Sequence, residues 1–119
     1  MQDSAMQTST NGTTQFSPAD DQMISPSAVA ALGNAYAHVK QLDKAVEYLK
    51  KAASMADSEA ADNTNNSISP IFLLQAGEIL ESQGKKSEAL QIYQDIKTKY
   101  LNSAVSQDID KYIERVSVK

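Results

Sequence analysis

Surface chemistry needs titratable or nucleophilic side chains that converge, and this chain is sparing with them. His38 is the sole histidine, and cysteine is absent. A zinc site therefore lacks a second soft ligand, and neither a thiolate nucleophile nor a disulfide can form. No serine, histidine and acid can be traced as a nucleophile with its base and orienting partner. Gly33, Gly77 and Gly84 fall inside or at the end of helical patterns and follow no strand, so they do not make a phosphate loop. Catalysis, a cofactor and a metal are accordingly not expected. What remains is binding chemistry, carried by polar, acidic and apolar side chains on helix faces, and it depends on the elements that present them.

Charge and hydropathy narrow the partners. The net charge is −4, and the basic residues are dispersed among acids. Nucleic acid is thus disfavoured, because phosphate contacts need Lys and Arg gathered on one face. An apolar content of 41% in 119 residues suits one small soluble domain with a modest core. The first fifteen residues carry neither a basic start nor an apolar core. The densest apolar run, Ile71 to Leu74, is far short of the roughly 20 residues that cross a bilayer. The chain is expected to be soluble as written, with no direct membrane insertion.

Residues 1–22 are rich in Gln, Ser, Thr, Asn and Asp, with Met1, Met6 and Phe16 as their bulky apolar groups. Such a segment buries too little to offset its ordering entropy and predicts a disordered leader. Asn11-Gly12-Thr13 and Asn65-Asn66-Ser67 resemble glycosylation acceptors, but short triplets of this kind read as plain loops. Residues 23–119 read as one helical domain interrupted by a polar linker. Ser25-Pro26 predicts a capped helix start, and Val29, Leu32, Gly33 and Tyr36 share one face. Lys40-Gln41-Leu42 predicts a tight turn, and Asp43 is placed to cap a second helix with Ala45, Val46, Leu49, Ala52, Ala53 and Ala56 inside. These elements form a hairpin over 25–57, followed by a polar linker over 58–68.

The second hairpin, 69–100, opens on Ser69-Pro70, turns at Gly84 and is expected to cap its second helix with Ser87. A last helix over 103–116 carries Val105, Ile109, Tyr112, Ile113 and Val116 on one stripe and charges elsewhere, as a terminal capping helix does. A constant offset of 44 residues takes Ser25-Pro26 to Ser69-Pro70, Gly33 to Gly77, Tyr36 to Leu80, Ala45 to Ala89, Leu49 to Tyr93 and Ala52 to Ile96. Antiparallel helices approach closely only where small residues meet, so Gly33 with Ala45, and Gly77 with Ala89, are the expected crossings.

Leu32-Gly33-x-x-Tyr36 with Ala45, Tyr48 or Leu49, and Ala52 resembles the tetratricopeptide repeat, and Ala76-Gly77-x-x-Leu80, Gly84, Ala89 and Tyr93 extend the resemblance to the second copy. It implies an all-α fold: two repeat-type helical hairpins and a capping helix, a fragment of a right-handed α-solenoid. There are departures from the family pattern. Lys40 replaces the first turn's glycine, Asp57 and Leu101 stand where the family often has proline, and about ten extra residues in the linker lengthen the repeat beyond the usual roughly 34 residues. More narrowly, the chain is similar to the C-terminal half of membrane-anchored bacterial tetratricopeptide proteins. This implies a fragment or a shortened member, with a periplasmic repeat domain that assists envelope assembly or traffic.

The resemblance also implies where a protein or peptide partner binds: a concave groove lined by the first helix of each hairpin. The positions are Ser27, Ala30, Asn34, Ala37 and His38 in the first copy, and Ile71, Leu74, Gln75, Glu78 and Glu81 in the second. Some tetratricopeptide domains clamp a terminal carboxylate with lysines and asparagines. Asn34 alone matches that pattern, so chaperone-tail binding is not expected. The alternative is self-association into a homo-oligomer through an uncapped N-terminal face around Met23, Val29 and Val39, since about three repeats are usually needed for stability.

Overall fold

The computed structural model describes residues 24–117 as five helices: α1 (Pro26–His38), α2 (Leu42–Glu59), α3 (Ser69–Ser82), α4 (Lys86–Lys99) and α5 (Ala104–Ser117). The leader expected over 1–22 lies outside the described residues. At the start of α1, Ser25 is extended and its hydroxyl accepts the Ala28 N–H at 3.1 Å, with Pro26 in the first turn. Pro26 has no N–H to leave unpaired there, and its fixed φ suits the helix.

Both hairpin turns close by the same backbone device. The Lys40 N–H bonds the Ala37 carbonyl and the Gln41 N–H bonds the Tyr36 carbonyl; Gly84 and Lys85 do the same to Glu81 and Leu80. This is the Schellman arrangement, which demands a left-handed residue one step past the helix. Gly84 takes it at φ 78°, whereas Lys40 takes it at φ 66° with a side chain attached.

The helix starts differ from expectation at three places. Asp43 does not cap α2, which already begins at Leu42; its Oδ1 accepts from Gln83 Nε2 and Lys85 Nζ, each at 3.0 Å. An ion pair across the two turns replaces a cap within one helix. Ser69 does not cap α3: its hydroxyl is buried and turned toward α2, while Asn65 Oδ1 takes the Ser67 and Ile68 amides. Ser87 lies inside α4, whose first turn has no side-chain cap.

Each helix packs on the next, and α3 also meets α5. Asp43 reaches Gln83 at one end of the α2–α3 pair and Asp57 reaches Ser69 at the other, so these helices are antiparallel. It follows that α1 and α3 run parallel, with both turns at one end of the molecule and the linker at the other. Val29, Leu49, Ala52, Ala76, Tyr93, Ile96 and Ile109 form one continuous core across the five helices. At the first crossing, a Cβ on Gly33 would sit 3.1 Å from the Ala45 carbonyl and 3.1 Å from Leu49. The second crossing is built otherwise than expected, since it is the Tyr93 ring and not Ala89 that lies over Gly77, 2.5 Å from where a Cβ would be.

Candidate functional site

Four of the positions that the repeat pattern assigns to a groove line two depressions on parallel helices. On α1, Asn34 and His38 are exposed and Ala37 is half-buried, and with Lys40 they line a shallow depression of about 330 Å³. Ser27 is exposed one end further along. On α3, Ile71 is 43% exposed and stands with Asn66 and Val105 at a second depression of about 400 Å³. Leu74 and Gln75 follow half-buried and Glu78 exposed, so positions 71, 74, 75 and 78 form one stripe at helical spacing. The stripe is apolar at its start and acidic at its end. Gln75 Oε1 is buried without a hydrogen-bond partner.

Two groove positions do not present free groups. Ala30 is 3% exposed and belongs to the core, because α1 turns that position inward beside Val29. Glu81 is spoken for by α5: Arg115 donates from Nε at 2.5 Å and from Nη2 at 2.8 Å, and the Tyr93 hydroxyl donates at 2.8 Å. The Arg115 guanidinium holds the Glu81 carboxyl below its usual range against the opposing effect of burial. Burial pushes the Tyr93 phenol up, and its bond to Glu81 pushes the same way. Arg115 also lies over the Tyr112 ring, 4.8 Å from its centroid, so one acid of α3 anchors the last helix.

A larger depression, about 460 Å³, lies on the other side of α3, between α2 and α4. Lys50, Ser54, Leu73, Asp95 and Lys99 line it, and at its base sits a buried carboxylate, Asp57, 7% exposed. A smaller hollow of about 190 Å³ shares Lys50, Leu73 and Asp95. This outer side was not singled out from the sequence. Asp57 did carry a signal: it stands four residues after Ala53, so it continues an apolar stripe with an acid. No group of three or more His, Asp or Glu that could hold a metal ion occurs among the described residues.

These features first define a class, an all-α helical-repeat protein made of antiparallel hairpins stacked on one core. The model of the Tetratricopeptide repeat family matches residues 26–59, which are α1, its turn and α2, so the chain carries a tetratricopeptide-type repeat over its first hairpin. No curated protein and no solved structure matches it. The repeat is a protein-interaction fold that is generally not catalytic, so protein partners are the class of ligand it serves. No helix among the described residues is long and apolar enough to cross a membrane.

Proposed function

We propose that this chain is a binding module that receives a segment of a partner protein along the α1–α3 face. The supporting observation is the stripe on α3: Ile71 is a large apolar side chain left 43% exposed, in line with Leu74, Gln75 and Glu78. Asn34, Ala37 and His38 stand on the parallel helix α1. Apolar anchors flanked by polar groups are what a segment-binding face needs. Ser27 extends the face, whereas Ala30 and Glu81 act in packing and in holding α5. The similarity to membrane-anchored bacterial tetratricopeptide proteins supports a place in envelope assembly or traffic, with the repeats in the periplasm.

The test is crosslinking in the source cell and mass spectrometry of recovered proteins, with the chain and a variant carrying Asn34→Ala, Ile71→Ser and Glu78→Ala together. The expected result is loss of the recovered partner with unchanged far-ultraviolet circular dichroism. Recovery of the same partner by the triple variant would remove the groove reading. The self-association reading has weaker support. Val29 is wholly buried and Met23 lies outside the described residues, which leaves Val39, 63% exposed, from the apolar face on which that reading relied. Light scattering after size exclusion separates the two, and a monomer at high concentration removes self-association.

A further inference from the structure

One buried acid plays no part in the proposed binding face. Asp57 ends the inner stripe of α2, and its two oxygens collect donors from three other segments. Oδ1 accepts the Asn65 backbone N–H of the linker at 2.8 Å and the Ser69 hydroxyl of α3 at 2.8 Å. Oδ2 accepts the Tyr100 hydroxyl at the end of α4, and Lys99 Nζ lies 3.2 Å away. Ser69 and Tyr100 are themselves buried. We infer that Asp57 is a latch that fixes the linker and the first turn of α3 onto the first hairpin, and thereby sets where Ile71 stands.

Beside the latch, Ile68 packs against the core and the Ser69 hydroxyl also reaches the Ala53 carbonyl of α2 at 2.9 Å, but the linker's own hydrogen bonds add no further tie. Residues 60–68 are polar apart from Ala60, Ala61 and Ile68, and their own side-chain bonds, Asp62 to the Thr64 amide and Asn65 to Ser67 and Ile68, are local. They shape the loop without tying it to a helix. At the opposite end of the junction the tie is Asp43 with Lys85 and Gln83 on the surface, where Asp43 is 80% exposed. Water competes with such a pair, so it contributes little. In the Asp57 cluster Asp57, Ser69 and Tyr100 are buried while Lys99 is half-exposed, and one carboxylate joins four segments. Removing a partner there leaves a buried group unpaired, which costs more than a lost surface contact.

Ser69 is two residues from Ile71, so releasing the latch frays the turn that carries the apolar anchor. That consequence for binding rests on the proposed α1–α3 face; the latch itself does not, and its test reads amide exchange and not partner capture. Lys50 and Asp95 line the depression beside the cluster and complete the charged groups that face it.

The experiment is hydrogen exchange at neutral pH on the full chain, comparing wild type with Asp57→Asn, Tyr100→Phe and Ser69→Ala. Asp57→Asn should speed exchange at Asn65, Ile68 and Phe72 by roughly tenfold to a hundredfold, the range of a lost hydrogen bond to a charged group. Core amides such as Leu49 and Tyr93 should move less than about threefold. Tyr100→Phe, which keeps the ring, and Ser69→Ala should give the same pattern at smaller amplitude, and they decide the matter if Asp57→Asn does not fold. Equal acceleration across both hairpins, or none between 65 and 72, would overturn the latch; loss of partner capture with unchanged exchange would bear on the binding face alone.

Discussion

The two hairpins use one plan with their aromatic weight placed differently. In the first, Tyr36 of α1 stacks on Tyr48 of α2, with ring centroids 5.3 Å apart, and both rings stay half-buried while Leu49 fills the crossing. In the second, Leu80 and Tyr93 occupy the places of Tyr36 and Leu49, so the large ring moves to the buried side. It lies on Gly77, tilts against Tyr112 at 5.5 Å and bonds Glu81. The first hairpin resembles its family closely enough for the family model to match it; the second serves as the seat for α5. A repeat can therefore keep its register while exchanging a family-like crossing for one adapted to a terminal helix.

The sharpest way to break this comparison is truncation at the paired crossing positions, Leu49 and Tyr93, both fully buried. Tyr93→Ala should cost about 3–5 kcal/mol, the range for a buried aromatic, and Leu49→Ala about 2–4 kcal/mol, read by urea denaturation. If Leu49→Ala proved the costlier, the second crossing would not depend on its ring more than the first does on its leucine. Next in size are the glycines beneath them. Gly77→Ala forces a methyl against a pinned, buried ring, so overpacking should outweigh the gain in helix propensity of about 1 kcal/mol, for a net loss of about 1–2 kcal/mol. At Gly33 the methyl meets its neighbours at 3.1 Å, which a few tenths of an ångström relieve. Gly33→Ala should be neutral within about 0.5 kcal/mol by the same balance.

The turns offer a reciprocal pair. Gly84 has open space around it, so Gly84→Ala tests the left-handed backbone alone and should cost about 1 kcal/mol. Lys40→Gly relieves the same strain and should gain up to about 1 kcal/mol in thermal or urea unfolding. Equal and same-signed effects at the two sites would show that the turns are not equivalent.

The smallest effect is acid sensitivity. Burial works to raise the Asp57 carboxyl, but bonds from Asn65, Tyr100, Ser69 and Lys99 outweigh it and hold the group below its usual value; Arg115 does the same for Glu81. Carboxyls lowered in the folded state stabilise it above their ordinary titration range and lose that contribution as pH falls through the folded values. Amide protection at the linker and α5 should thus fall first below about pH 4, with α1 and the first half of α2 holding longer. Arg115 is half-exposed, so its share is modest.

Much of the fold was legible because it rests on periodicity. Val29, Leu49, Ala52, Ile96 and Ile109 are spaced as helix faces require, and they are the core. The caps misled at Asp43 and Ser69 because a polar side chain near a helix start has other partners once a second hairpin is present, and at Ser87 because α4 already begins at Lys86. Lys85 and Asp57 outbid the local amides, and no single segment reveals that. On the binding face, periodicity places Ile71, Leu74, Gln75 and Glu78 together, but it cannot say that Arg115, 34 residues after Glu81, claims that acid.

Which side of α3 a partner touches decides between the two faces. A photo-crosslinking amino acid placed at Glu78 or Asn34 in one set of chains, and at Lys50 or Asp95 in another, reads this directly in the source cell. The α1–α3 face predicts one adduct shared by positions 34 and 78 and absent from 50 and 95. A partner captured from 50 or 95, with none from 34 and 78, would contradict it and assign binding to the depression between α2 and α4.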